Sequence, residues 1–144
     1  MTVPADDPYD LARFVAAQGP SHARALDELR AGEKVTHWIW YVFPQVIGLG
    51  RSPTARRFAV RSLEEASAYL VHPVLGPRLR EACEAILTHE GARSANAILG
   101  SPDDLKLRSS MTLFERAAAE PRLFARVLDA FYDGEQDAET LRRL

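Results

Sequence analysis

The residues best equipped for chemistry fall in three short stretches. The first is His37-Trp38-Ile39-Trp40-Tyr41-Val42-Phe43-Pro44-Gln45, which holds both tryptophans of the chain. A histidine titrates near neutrality, so His37 suits a general acid or base. Trp38, Trp40 and Tyr41 offer flat faces for stacking on a base, worth about 1–3 kcal/mol each. Gln45 could orient a ligand amide or a water. The second stretch, Gly48-Leu49-Gly50-Arg51-Ser52-Pro53, brings a glycine turn onto a helix start. Free N–H groups and the positive helix end favour an anion there, and Arg51, Arg56 and Arg57 could add charge-assisted hydrogen bonds. The third stretch places Lys106, Ser109, Ser110 and Thr112 on one helix beside Met111 and Phe114. Lysine and hydroxyls bordering an apolar stripe suit phosphate or sugar hydroxyls.

Each stretch also has a plain structural explanation. The aromatics can be core, the glycines a tight turn, Gln45 a helix cap, and the serines small residues that let helices approach. Lys106 with a serine is a minimal nucleophile pair, but neither a Gly-x-Ser-x-Gly elbow nor a Ser-x-x-Lys motif is present. His22, His37, His72 and His89 lack the spacing of a metal site, so no metal or cofactor is expected. Asp103 and Asp104 are explained by the helix they open.

Bulk properties narrow the classes. A chain of 144 residues fits one domain. A net charge of −2 argues against binding duplex nucleic acid through bulk positive charge. Cys83 is the single cysteine, as suits a reducing compartment. The acidic start Met-Thr-Val-Pro-Ala-Asp-Asp-Pro lacks the apolar stretch of a signal peptide. No apolar run approaches the roughly 18 residues of a membrane span. A cytoplasmic protein is expected.

The elements that must position these residues read as helices. Residues 1–8 are expected to form a loose arm, and 9–144 a single helical domain. Asp10 is expected to cap a helix carrying Leu11, Phe14, Val15 and Gln18, stopped by Gly19-Pro20. Ser21 opens a second with Ala25, Leu26 and Leu29, closed by Gly32. The aromatic stretch is apolar on most sides, so helical and strand periodicities both fit. Helix is favoured by its neighbours, ending at Pro44. Ser52-Pro53, Ser62 and Ser101-Pro102 are further helix starts, with Ser62 and Glu65 at capping-box spacing, and Ser94 to Leu99 reads as one short amphipathic turn or two. His72-Pro73 reads as turn chemistry. Leu75 to Leu87, Leu107 to Ala118 and Leu123 to Phe131 carry apolar stripes, and Asp137 caps a last short helix. The fold expected is mainly α, a compact single-domain bundle of about eight or nine short helices.

The chain resembles an uncharacterised bacterial family catalogued as domain of unknown function 1810. The resemblance is carried by His37 through Gln45, Gly48-Leu49-Gly50 with Ser52, His72-Pro73-Val74-Leu75-Gly76 with Arg78-Leu79, and Lys106 through Phe114. It implies a mainly helical fold and brings no established activity. The label calpastatin often attached to members does not suit a compact, apolar-patterned chain. A fainter similarity links Lys106, Ser109-Ser110-Met111, Phe114, Phe124 and Leu128 before Gly134 to the C-terminal half of proteins that process ADP-ribose and related nucleotides. Those proteins rely on an acidic residue beside a histidine, whereas His37 has no adjacent carboxylate. The functional expectation is binding, and on one view processing, of a small anionic, nucleotide-like ligand such as an ADP-ribose derivative. His37 and Lys106 would be the catalytic groups. Trp38, Trp40, Tyr41, Gln45, Gly48, Gly50, Arg51, Ser52, Ser109, Ser110 and Thr112 would hold the ligand. The alternative is a non-catalytic interaction module whose aromatic segment is core.

Overall fold

A computed structural model describes residues 7–144. Most of the arm expected over residues 1–8 lies outside them. The described residues form ten helices: α1 (Ala12–Gln18), α2 (His22–Ala31), α3 (Ile39–Val42), α4 (Pro53–Arg57), α5 (Leu63–Val71), α6 (Leu75–Leu87), α7 (Ala95–Leu99), α8 (Asp103–Ala117), α9 (Arg122–Tyr132) and α10 (Ala138–Arg142). The count exceeds eight or nine because four of them, α3, α4, α7 and α10, are single turns of four or five residues. Such turns are too short to be stable alone and persist through packing.

α8 is the centre of the bundle. It packs against α5, α7, α9 and α10, while α6 packs against α2, α5 and α9. Leu107, Met111 and Phe114 on α8 are fully buried, as their spacing predicts. The Phe114 ring lies 5.2 Å from Tyr69 of α5 and 5.9 Å from Phe124 of α9, so three helices share one aromatic contact. Such pairs add about 0.5–1.5 kcal/mol each beyond area burial.

Several helix starts differ from expectation in their chemistry. Asp10 does not cap α1. The Asp7 carboxylate does, accepting from Leu11 N–H at 2.7 Å and Ala12 N–H at 3.2 Å, while Asp10 itself takes a left-handed φ of 52°. Ser21 makes no cap bond; its Oγ lies 3.1 Å from the Tyr41 hydroxyl. At α8 the cap position falls on Pro102, which has no side-chain acceptor, so Ser101 is not a cap. Ser52 and Ser62 cap as their motifs predict, and Ser94 caps α7 in the same way. His72 Nδ1 accepts from Val74 and Leu75 N–H, which starts α6 across Pro73.

The aromatic stretch is helical only over Ile39–Val42. The helix does not extend to His37 because Glu28 of α2 draws the preceding backbone away. Its carboxylate accepts from the N–H of Val35 (2.8 Å) and Thr36 (3.0 Å), the Thr36 hydroxyl (2.6 Å) and the Trp38 indole (2.8 Å). Beyond Pro44 the chain makes one parallel bridge, Val46 with Val60, through Ile47 N–H to Val60 O and Val60 N–H to Gln45 O, both 2.8 Å. That bridge closes the loop carrying the glycine turn and α4. No helix among the described residues is long and apolar enough to cross a membrane.

Candidate functional site

The three chemical stretches do not converge on one cavity. The aromatic segment is mostly core. Trp38 is 1% exposed, with its indole N–H on Glu28, and Ile39, Val42 and Phe43 are buried beside it. Trp40 and Tyr41 are half-buried, Gln45 likewise, and His37 is exposed. The Tyr41 carbonyl accepts from Gln18 Nε2 at 2.6 Å, and the same amide donates to the Tyr69 hydroxyl at 3.0 Å. Burial pushes the Tyr69 phenol up, so that hydroxyl stays neutral. Gln18 therefore ties the aromatic segment to α1 and α5.

Glu28 is the strongest electrostatic feature here. Burial pushes its carboxyl up, but hydrogen bonds from the Thr36 hydroxyl, the Thr36 and Val35 backbone and the Trp38 indole outweigh that effect. They hold the pKa at about 2, against an ordinary 4.5. No sequence motif announces this residue; its four donors lie seven to ten positions away, across a loop.

On α8 the hydroxyls serve the fold. Ser109 Oγ donates to Leu105 O at 3.2 Å and lies 3.3 Å from Asp137 Oδ2. Thr112 Oγ1 donates to Arg108 O and accepts from Asp137 N–H at 2.9 Å. Together they seat the start of α10, where Asp137 caps Thr140. Ser110 is fully buried, and its Oγ has no partner among the described residues. Lys106 joins a cluster: Asp103 lies 3.5 Å from its Nζ and 2.9 Å from Lys34 Nζ. The Lys106 ammonium sits 4.9 Å from the Trp40 ring centre and that of Lys34 5.2 Å from Trp38. Asp103 thus links the loop before α3 to α8, a role beyond opening a helix.

The glycine turn does open on a concavity. Ile47, Gly48, Gly50, Arg51, Arg56, Ala59 and Arg61 line a depression of about 600 Å³, within the range of small-molecule sites. None of Trp38, Trp40, Tyr41, Lys106, Ser109, Ser110 or Thr112 lines it. Gly48 has φ 98°, and a Cβ there would lie 2.8 Å from Arg143 Nε. A Cβ on Gly50 would lie 2.5 Å from the Ala55 Cβ, so the turn folds tightly onto α4. α4 has five residues, and Ser52 Oγ already accepts its Ala55 N–H. Its dipole is correspondingly small, and attraction for an anion falls on the guanidinium groups. Arg51, Arg56, Arg57 and Arg61 are exposed and form no ion pair with a described carboxylate. Arg61, absent from the residues singled out by sequence, enters because the Val46–Val60 bridge folds it back beside the turn.

Ten helices around one core, with a basic depression at one edge, define a small all-helical single-domain protein. The family model described as "Protein of unknown function (DUF1810)" matches residues 8–144, and the chain belongs to that family. It is similar to the conserved hypothetical protein Rv1873 from Mycobacterium tuberculosis. The crystal structure of that protein superposes with a TM-score of 0.92 at 51% identity, covering 96% of this chain and 98% of that one. No curated protein matches.

Proposed function

We propose that the protein binds a small anionic, nucleotide-like ligand, an ADP-ribose derivative being the first candidate, with its charged group in the Gly48–Arg61 concavity. The observation that carries this is the gathering of Arg51, Arg56 and Arg61 around one depression, without described carboxylate partners, in a chain of net charge −2. Like charges held together repel, and an incoming anion relieves that cost. Thermal-shift titration with ADP-ribose, NAD and mononucleotides is the test. A shift that disappears in Arg56→Ser/Arg61→Ser and weakens with salt is expected. A folded protein that shifts with none of these ligands at millimolar concentration refutes the proposal.

A second reading, a non-catalytic interaction module, is favoured by the burial of Trp38 and by Val71, which is 83% exposed. Val71 lies beside Leu70, Ala118 and Leu123, with Arg122 and Arg126 at the rim. Its discriminating result is a silent ligand screen together with an acidic protein partner that is lost on Val71→Asp.

A further inference from the structure

The depression assigned to the anion shares Arg56 and Arg61 with a second one of about 650 Å³, which adds Tyr9, Asp10, Arg57 and Ser62. We infer that the two form one bipartite site for a nucleoside diphosphate, with the phosphates over Arg56 and Arg61 and the nucleoside held by Tyr9 and Asp10. This rests on the anion-binding proposal above and adds to it a nucleoside compartment and a direction.

The division of labour among the charged residues carries the inference. Arg13 and Glu65 also line the second depression, but both are already engaged. Arg13 Nε donates to Arg57 O (2.8 Å), Nη1 to Tyr9 O (2.7 Å) and Asp10 O (2.8 Å), and Nη2 to Ala59 O (2.9 Å) and Glu65 Oε2 (2.8 Å). Those five bonds use the full donor set of a guanidinium. Glu65 is 1% exposed, and its other oxygen accepts from Arg61 N–H at 3.2 Å. The pair is a wall, holding the α1 start against the 57–61 segment. Arg56, Arg57 and Arg61 make no side-chain hydrogen bond among the described residues, so their guanidinium donors remain for a ligand.

The wall positions two further groups. Because Arg13 grips the carbonyls of Tyr9 and Asp10, it fixes the backbone that presents them. Asp10 is exposed and left-handed, and its carboxylate makes no hydrogen bond among the described residues. A bare carboxylate in an arginine-lined groove repels a ligand that is phosphate throughout. It accepts well from ribose hydroxyls or an exocyclic amine, the same logic by which an acidic residue reads ribose in dinucleotide sites. Tyr9 lines the groove half-buried and packed in part against the core, and its ring offers an aromatic surface of the kind bases stack on, whichever the base. Phosphate at the shared arginines, sugar at Asp10 and base at Tyr9 follow the covalent order of a nucleotide. Any group beyond the second phosphate points toward Gly48 and Ile47.

Calorimetric titration with adenosine diphosphate, inorganic pyrophosphate and adenosine tests this. The diphosphate is expected to bind at least tenfold tighter than pyrophosphate. Tyr9→Ala should bring it down to the pyrophosphate level while leaving pyrophosphate within twofold; Asp10→Asn should close the gap between the two, lowering the diphosphate and leaving pyrophosphate equal or tighter because the repelling carboxylate is gone. Asparagine tolerates the same left-handed backbone, so Asp10→Asn keeps the test valid where Tyr9→Ala unfolds. Arg56→Ser/Arg61→Ser should abolish both. Equal affinity for the diphosphate and pyrophosphate, or a diphosphate affinity unmoved by Asp10→Asn, overturns the nucleoside compartment and leaves the anion site standing. Binding of neither compound to folded protein overturns both.

Discussion

Replacing Glu28 by glutamine tests how the aromatic segment is held. The wild-type carboxylate accepts four hydrogen bonds, from Val35, Thr36 twice and Trp38. Glutamine keeps one acceptor oxygen and turns an NH2 toward groups that are themselves donors. The difference between the ordinary 4.5 and about 2 sets an upper bound of about 3 kcal/mol at neutral pH, which solvent screening of this partly exposed carboxylate reduces to about 2. The folded-state value is depressed, so this stability is fully present above pH 4.5 and is lost as pH falls toward 2. Less than half of it survives at pH 3. Urea denaturation of both proteins at pH 7, 5, 4 and 3 measures the difference directly. Glu28→Gln should cost about 2 kcal/mol at pH 7, or about 6 °C in Tm, with the two proteins converging as the acid limb is descended. Other carboxylates titrate in both proteins and cancel. A variant within about 0.5 kcal/mol of wild type at pH 7, or a gap that does not narrow by pH 3, would refute the claim that these four bonds outweigh the cost of burial.

Three further outcomes follow from other contacts. Asp103→Ala leaves the Lys34 ammonium, 7% exposed, without its carboxylate; a loss of about 2 kcal/mol in chemical denaturation is expected, recovered in part by Lys34→Met in the same chain. Gly50→Ala sets a methyl 2.5 Å from the Ala55 Cβ, so the turn must lift off α4; a cost of about 1–3 kcal/mol and weakened pyrophosphate binding should appear together. Burial pushes the Cys83 thiol well above its ordinary value, and its Sγ rests 3.6 Å from Met111 Sδ. An aromatic disulfide reagent should therefore label it only at the rate of global unfolding, and fast labelling of native protein would contradict the burial.

The amino-acid pattern alone determined most of the architecture. Apolar spacing located α8 and α9, and Ser52, Ser62 and Asp137 marked helix starts that the structure keeps, because a hydroxyl or carboxylate three residues before a free N–H is a local signal. Which face of the aromatic segment turns inward was not legible, because helical and strand periodicities both fit it; the structure buries Ile39, Val42 and Phe43 and exposes His37. What the pattern could not contain was any contact made across the fold. Asp10 reads as the cap of α1 from its place in the sequence, and only the backbone path hands that role to Asp7. Glu28 looks like one more exposed acid until a loop wraps its carboxylate. Ser109 and Thr112 look available for a ligand until α10 lands on them. Arg13 and Arg61 are chemically the same side chain; tertiary packing uses up the donors of one and leaves those of the other without a partner among the described residues, a difference in remaining hydrogen-bonding capacity that no sequence pattern carries.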